Sequence, residues 1–160
     1  MENEQPSHFE RLVALADAVF DVKNDPGQLD VDRHVLDRLE EIHPACVSEF
    51  ADEKGPAAWM LMIPATEANM QDFLSGKISE KELFEKCLPG DAFEAIYLCS
   101  ALVLEEYRRK GISQQLSLDA IQKIRADFPV KTLFVWAFSE EGLACAQKLA
   151  QQSGLPLLLR

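Results

Sequence analysis

The residues best suited to chemistry stand together at Arg108-Arg109-Lys110-Gly111-Ile112-Ser113. Arg108 to Lys110 is the only run of three basic residues in a chain of 160 residues and formal net charge −11. An apolar run, Ile96 to Val103, precedes it, and an amphipathic run, Gly111 to Asp127, follows. The order is strand, basic loop, helix start. The first turn of a helix carries N–H groups without intrahelical acceptors and the positive end of the helix dipole, so a loop entering one is a ready anion site. Gly111 has no side chain to keep a ligand from the backbone. A plain solvated turn would use the same residues, with Gly111 there for the bend alone.

The elements that must position this loop can be read on both sides of it. Phe93 to Leu104 reads as a central strand, its core apolar at both parities as burial on two faces requires. Ile112, Leu116, Ala120, Ile121 and Ile124 form a helical stripe that Asp127-Phe128-Pro129 ends. Lys131 to Phe138 is a second, aromatic-rich strand. Ser139 is an N-cap for a helix with Leu143, Ala146, Leu149 and Ala150 on its buried face, and Gly154 closes it before a last strand, Leu155 to Leu159. This alternation predicts parallel strands joined by right-handed crossovers.

The first half is less regular. Phe9, Leu12, Val13, Ala16, Val19 and Phe20 give one helical stripe, and Val31, Val35, Leu39 and Ile42 a second. Asn24-Asp25-Pro26-Gly27 separates them and Pro44 stops the second. Ala45 to Phe50 reads as one more helical turn, Asp52 to Pro56 as a polar turn, and Ala57 to Ile63 as a buried strand closed by Pro64. No strand is evident before Ala57. Thr66 caps a helix through Leu74, and Ser79-Glu80-Lys81-Glu82 is a capping box before Leu83, Phe84, Cys87 and Leu88.

Composition narrows the classes. The length suits one domain, 1–160. With 27 acidic against 16 basic residues, neither nucleic acid nor an anionic membrane is an expected partner. There is no apolar run of transmembrane length, and the polar start Met1 to Gln5 does not resemble a signal peptide, so a cytoplasmic location is expected. Cys46, Cys87, Cys99 and Cys145 are widely spaced in apolar surroundings and read as buried reduced thiols; His8, His34 and His43 give no metal-ligand spacing.

Arg108, Gly111 and Ser113 after Val103 resemble motif A of the GCN5-related N-acetyltransferase (GNAT) superfamily: Arg or Gln, two residues, Gly, one residue, then Gly or Ala. Ser113 departs from the usual small residue and Glu105 from a common Pro. The resemblance covers about residues 93–159, the expected cofactor-binding half, and leaves 1–92 as a divergent substrate-side half. It implies a single-domain α/β fold, a mixed and partly parallel sheet with helices on both faces. It also implies acetyl-CoA as cofactor, with pyrophosphate on the amides of Arg109, Lys110, Gly111, Ile112 and Ser113, a charged contact from Arg108 or Arg109, and the pantetheine arm beside Leu102, Val103 and Leu104. In the family the two central strands splay to admit that arm, the early helices flank the acceptor groove, and a helical pair such as Thr66 to Leu88 would build a lid or an interface.

Acetyl transfer needs a polarised carbonyl, a base for the amine and a proton for the leaving thiolate. The resemblance places the first on a backbone N–H at a bulge in the central strand, within Leu102–Leu104. Glu94 and Glu105, at the two ends of that strand, are the candidate bases, with Tyr97 and Ser100 behind them. The family's thiolate-protonating Tyr falls on Ala150, and Ser153 and Cys145 are the nearest substitutes. Three readings stay open: an N-acetyltransferase (an acyltransferase) for a small-molecule or peptide amine, a catalytically weak acyl-CoA-binding module, and an unrelated α/β protein. The short last strand leaves an edge that points to a homodimer.

Overall fold

The computed structural model describes residues 7–19, 33–137 and 139–160. Two helices come first, α1 (His8–Val19) and α2 (Arg33–Ile42). A hairpin follows, β1 (Val47–Asp52) and β2 (Gly55–Ala65), then α3 (Glu67–Leu74) and α4 (Glu80–Lys86). The remainder is β3 (Ala95–Val103), α5 (Ile112–Asp127), β4 (Thr132–Val135), α6 (Glu140–Ser153) and β5 (Leu157–Leu159). The five strands form one sheet in the order β1-β2-β3-β4-β5. β1, β2 and β3 are antiparallel to one another, while β3, β4 and β5 are parallel.

The local devices are those the sequence signals. Ser79 Oγ accepts from the Glu82 N–H and the Glu82 carboxylate accepts from the Ser79 N–H, a closed capping box. Ser139 Oγ accepts from the Gly142 N–H at 3.0 Å, and Gly154 ends α6 in the left-handed region. α3 and α4 are not a lid. Phe73 is fully buried against Tyr97, Phe134 and Trp136, and Met70, Leu83 and Phe84 are buried beside it. Burying each such side chain is worth roughly 1.5–3 kcal/mol, so the pair is a wall of the core.

Three expectations are corrected. Ala45 to Phe50 is not a helical turn: a single 3-10 turn, Pro44–Cys46, leads into β1. β1 is an edge strand with one neighbour, so its Glu49 and Asp52 are exposed, and with half-buried Ser48 they hide the alternation that marks a strand. The polar turn is accordingly the hairpin turn, with Asp52 opposite Gly55. Pro64 does not close β2 but lies inside it, opposite Ile96. β1 reaches only as far as Leu61, so Pro64 has β3 alone beside it, where a missing N–H is tolerated. Cys145, expected to be buried, is exposed on α6. Phe20, the turn at 24–27, Val31 and Phe138 lie outside the described residues.

Pairing fixes which helices share a face. Trp59, Leu61 and Ile63 of β2 stand opposite Leu102, Ser100 and Tyr97 of β3. α1 covers this face at one end, where Leu12 is buried with Ala57, Leu102 and Leu104, and α3 covers it at the other through Phe73 and Tyr97. Met60 points to the opposite face, where the Ser117 hydroxyl of α5 meets its sulfur at 3.3 Å.

Candidate functional site: the β3–α5 loop and the β3–β4 fork

Beyond β3 the chain makes a 3-10 turn at Glu105–Tyr107 and then a tight loop into α5. Arg109 has φ 64° and Gly111 φ 75°, both left-handed. Alternating left- and right-handed backbone turns successive N–H groups toward one side, which is how anion-binding nests form. Among the described residues, no protein acceptor is bonded to the N–H groups of Arg109, Lys110, Gly111, Ile112, Ser113 or Gln114. A Cβ on Gly111 would meet no protein atom within 4 Å, so the backbone there is open. Arg108, Arg109, Lys110 and Gly111 are all exposed.

The turn beneath the loop is clamped from two sides. Arg11 of α1 forms a two-pronged bond to Glu106, with Nη2 to Oε2 at 2.8 Å. This guanidinium holds the Glu106 carboxyl down at about 2. The Tyr107 hydroxyl donates to Asp52 at the end of β1, which pushes the phenol up to about 12 and the carboxyl below its ordinary value. His8 is buried between them, 3.9 Å from each of Asp52 and Glu106, with its ring edge-on to Tyr107 at 5.6 Å. Tyr107 is therefore a strut. Its contacts with α1 and β1 show its use.

The second feature is a fork. β4 pairs with β3 only at Ala95, Ile96 and Tyr97. From Leu98 to Val103, β3 keeps β2 on one side and no strand on the other. The Leu104 N–H goes to Ala57 O at 2.9 Å. Alternation then turns the N–H groups of Ala101 and Val103 the other way, toward the free edge. The register slips by one where Leu61 faces Ser100 and Met62 faces Leu98, so Cys99 is the extra residue of a β-bulge. The expectation that Leu102–Leu104 hold the bulge is thus corrected: the bulge lies three residues earlier, and of those three residues Val103 alone turns its N–H to the open side.

The two candidate bases are not brought together. Glu94 and Glu105 flank β3 at its opposite ends, a span of up to roughly 36 Å at about 3.3 Å per residue. Glu94 is engaged by Lys131 at 3.6 Å and Glu105 is exposed. What does gather near the fork is Tyr97, whose hydroxyl donates to Glu80 at 2.5 Å with both residues buried. Burial raises the Tyr97 phenol well above its ordinary value, so it stays protonated, and burial likewise raises the Cys99 thiol. Arg160 stacks over Phe73 and Trp136 at 4.4 and 4.5 Å. Glu80 and Arg160 are absent from the sequence-derived candidates. Glu80 reads as an ordinary first-turn acid after Ser79, and nothing local marks it as buried beside Tyr97 or Arg160 as stacked on Phe73 and Trp136. Ala150 is half-buried against the core.

No protein-family model and no curated protein matches the sequence. Among solved structures, a chain of a NatB acetyltransferase complex bound to a bisubstrate inhibitor matches at TM-score 0.50 and 14% identity, over 84% of this chain and 68% of that one. A chain of a NatB acetyltransferase complex bound to CoA and MES gives TM-score 0.48 and 15% identity, over 84% and 78%. The first of these likenesses, together with the five-stranded, partly parallel sheet, shows that the chain has a GNAT-like mixed α/β fold.

Proposed function

We propose that the protein is an acetyl-CoA-dependent N-acetyltransferase acting on an amine. The observation that carries this reading is the run of unbonded N–H groups from Arg109 to Gln114, set at the end of a β3 edge that β4 has left. Pyrophosphate would lie on the amides of Arg109, Lys110, Gly111, Ile112 and Ser113, and Arg109 and Lys110 would add charge. The pantetheine arm would run along Leu102, Val103 and Leu104, taking up the free N–H of Val103. The thioester would then reach the bulge at Cys99. Residues 93–159 would form the cofactor half and 1–92 the acceptor side. Neither Glu94 nor Glu105 is near the bulge, so the amine's proton would leave through water rather than directly to either. The acceptor would be a small-molecule or peptide amine. A similar solved chain belongs to an acetyltransferase complex bound to a bisubstrate inhibitor, which supports acetyl transfer to a second substrate.

A second reading has one observation in its favour. By the resemblance, Ala150 falls where the family carries its proton-donating Tyr, and it packs against the apolar core. On that reading the chain binds acyl-CoA and turns over poorly. Leu158 and Leu159 are exposed on the last strand, where a homodimer would form.

Calorimetry with CoA tests the shared core of both readings. Gly111→Val should abolish binding: the new side chain enters the open space above the amides and is strained at φ 75°. Equal affinity for wild type and variant would end both. Free-thiol release with a panel of amines then separates the enzyme from the binding module.

A further inference from the structure

Ser100 is the residue after the bulge, at the point where β3 has parted from β4. Its Oγ is buried and has no hydrogen-bond partner. Its neighbours in the ladder are apolar: Leu61 stands opposite, and Leu102 and Trp59 form the next pair on that face. A buried hydroxyl without a partner is costly, and few native structures keep one without a use. The next residue of β3 on that face, Tyr97, already gives its hydroxyl to Glu80. One residue past Ser100, the Ala101 N–H faces the free edge.

We propose that the Ser100 hydroxyl donates a hydrogen bond to the thioester oxygen of the bound acyl group, and that this selects acetyl-CoA over free CoA. The inference rests on the acyltransferase reading above and adds to it a side chain that meets the reacting atoms. As the amine nitrogen adds to the thioester carbon, the carbonyl electron pair moves onto oxygen, where Ser100 holds it. On collapse the pair returns, the C–S bond breaks and CoA leaves as thiolate. That thiolate takes up one proton, and the nitrogen releases one to water. Ser100 keeps its own proton throughout, acting as a fixed donor aimed at developing charge.

The test is calorimetry of acetyl-CoA and of CoA with the full chain and with Ser100→Ala, a change that removes one atom. CoA affinity should be unaltered, because the thiol offers no carbonyl oxygen. Acetyl-CoA affinity should fall about five- to tenfold, the worth of one ordinary hydrogen bond. Without ligand, Ser100→Ala should melt higher than wild type, since it discards an unpaired buried donor. With amine present, kcat should fall about 10²-fold, the usual scale for one such donor. Acetyl-CoA and CoA affinities that move together, or not at all, overturn the proposal, as does a lower melting point. Failure of the wild type to bind either compound is a different result: it removes the acyltransferase reading, and this proposal with it.

Discussion

Arg108 Nε donates to the carbonyl oxygen of Val103 at 3.0 Å, so the first residue of the basic run is folded back onto the end of β3. The motif match leaves Arg108 and Arg109 equally placed to meet phosphate. The hydrogen bond separates them: Arg108 fixes the exit of the strand, and the charge offered to a ligand falls to Arg109 and Lys110. Arg108→Ala should therefore destabilise the fold by about 1 kcal/mol, the value of one such bond, and should weaken CoA binding without changing its salt dependence. Lys110→Ala should flatten the dependence of CoA affinity on salt and lower the melting point only slightly, through loss of its place 5.6 Å over the Tyr107 ring. Thermal melts and calorimetry at two ionic strengths check both.

Arg109 holds a left-handed φ of 64° without being glycine. That conformation costs a side-chain-bearing residue roughly 1–2 kcal/mol. Arg109→Gly should relieve it, offset in part by the greater freedom of the unfolded chain, and so should not lower the melting temperature, while CoA affinity falls with the lost charge. A marked drop in melting temperature would show that the Arg109 side chain braces the loop.

Glu106 ionises in the folded protein at about 2, chiefly because Arg11 is bonded to it. Its ordinary value, 4.5, applies once the chain unfolds. The pair therefore contributes its full stabilisation above pH 4.5 and loses it as pH falls toward 2. Arg11→Ala should remove this dependence and return Glu106 to the ordinary carboxyl range. Carboxyl NMR shifts across a pH titration of both proteins measure it directly. Because the pair joins α1 to the turn beneath the loop, CoA affinity in Arg11→Ala should fall as well.

Turnover should be slow if no phenol stands at position 150, since one positioned proton donor is typically worth ~10²–10⁴-fold in rate. Ala150→Tyr should raise it. The ring must enter a half-buried site against the core, and overpacking of this kind costs about 1–3 kcal/mol. Free-thiol release and a thermal melt on the same preparation give both numbers. Brisk turnover by the unchanged protein would place the proton donor elsewhere.

The second half of the fold could be read from sequence because its elements announce themselves locally. β3 is apolar along its length, α5 has a clean stripe, and Ser139 and Gly154 bracket α6. The hairpin could not be read so well, because β1 has one strand neighbour and needs few apolar residues, and because Pro64 looks like a stop until its open side is known. At the site, the loop followed from type and spacing. The bulge at Cys99, the burial of Glu80 against Tyr97 and the orphaned hydroxyl of Ser100 did not, since each depends on which strand lies opposite and where it ends. Those are long-range facts that no local window holds.

The parting of β3 from β4 after Tyr97 also bears on how the protein avoids sticking to itself. Unpaired backbone on an outer rim invites strands from other molecules to add on. Here the unpaired length, Leu98 to Val103, lies in the middle of the sheet's order, with β4 and β5 beyond it. A slender chain such as a pantetheine arm can lie in the crotch of the fork, but a foreign strand carrying its own sheet cannot, because β4 is in its way. The fold thus keeps backbone available to a thin ligand while denying it to aggregation.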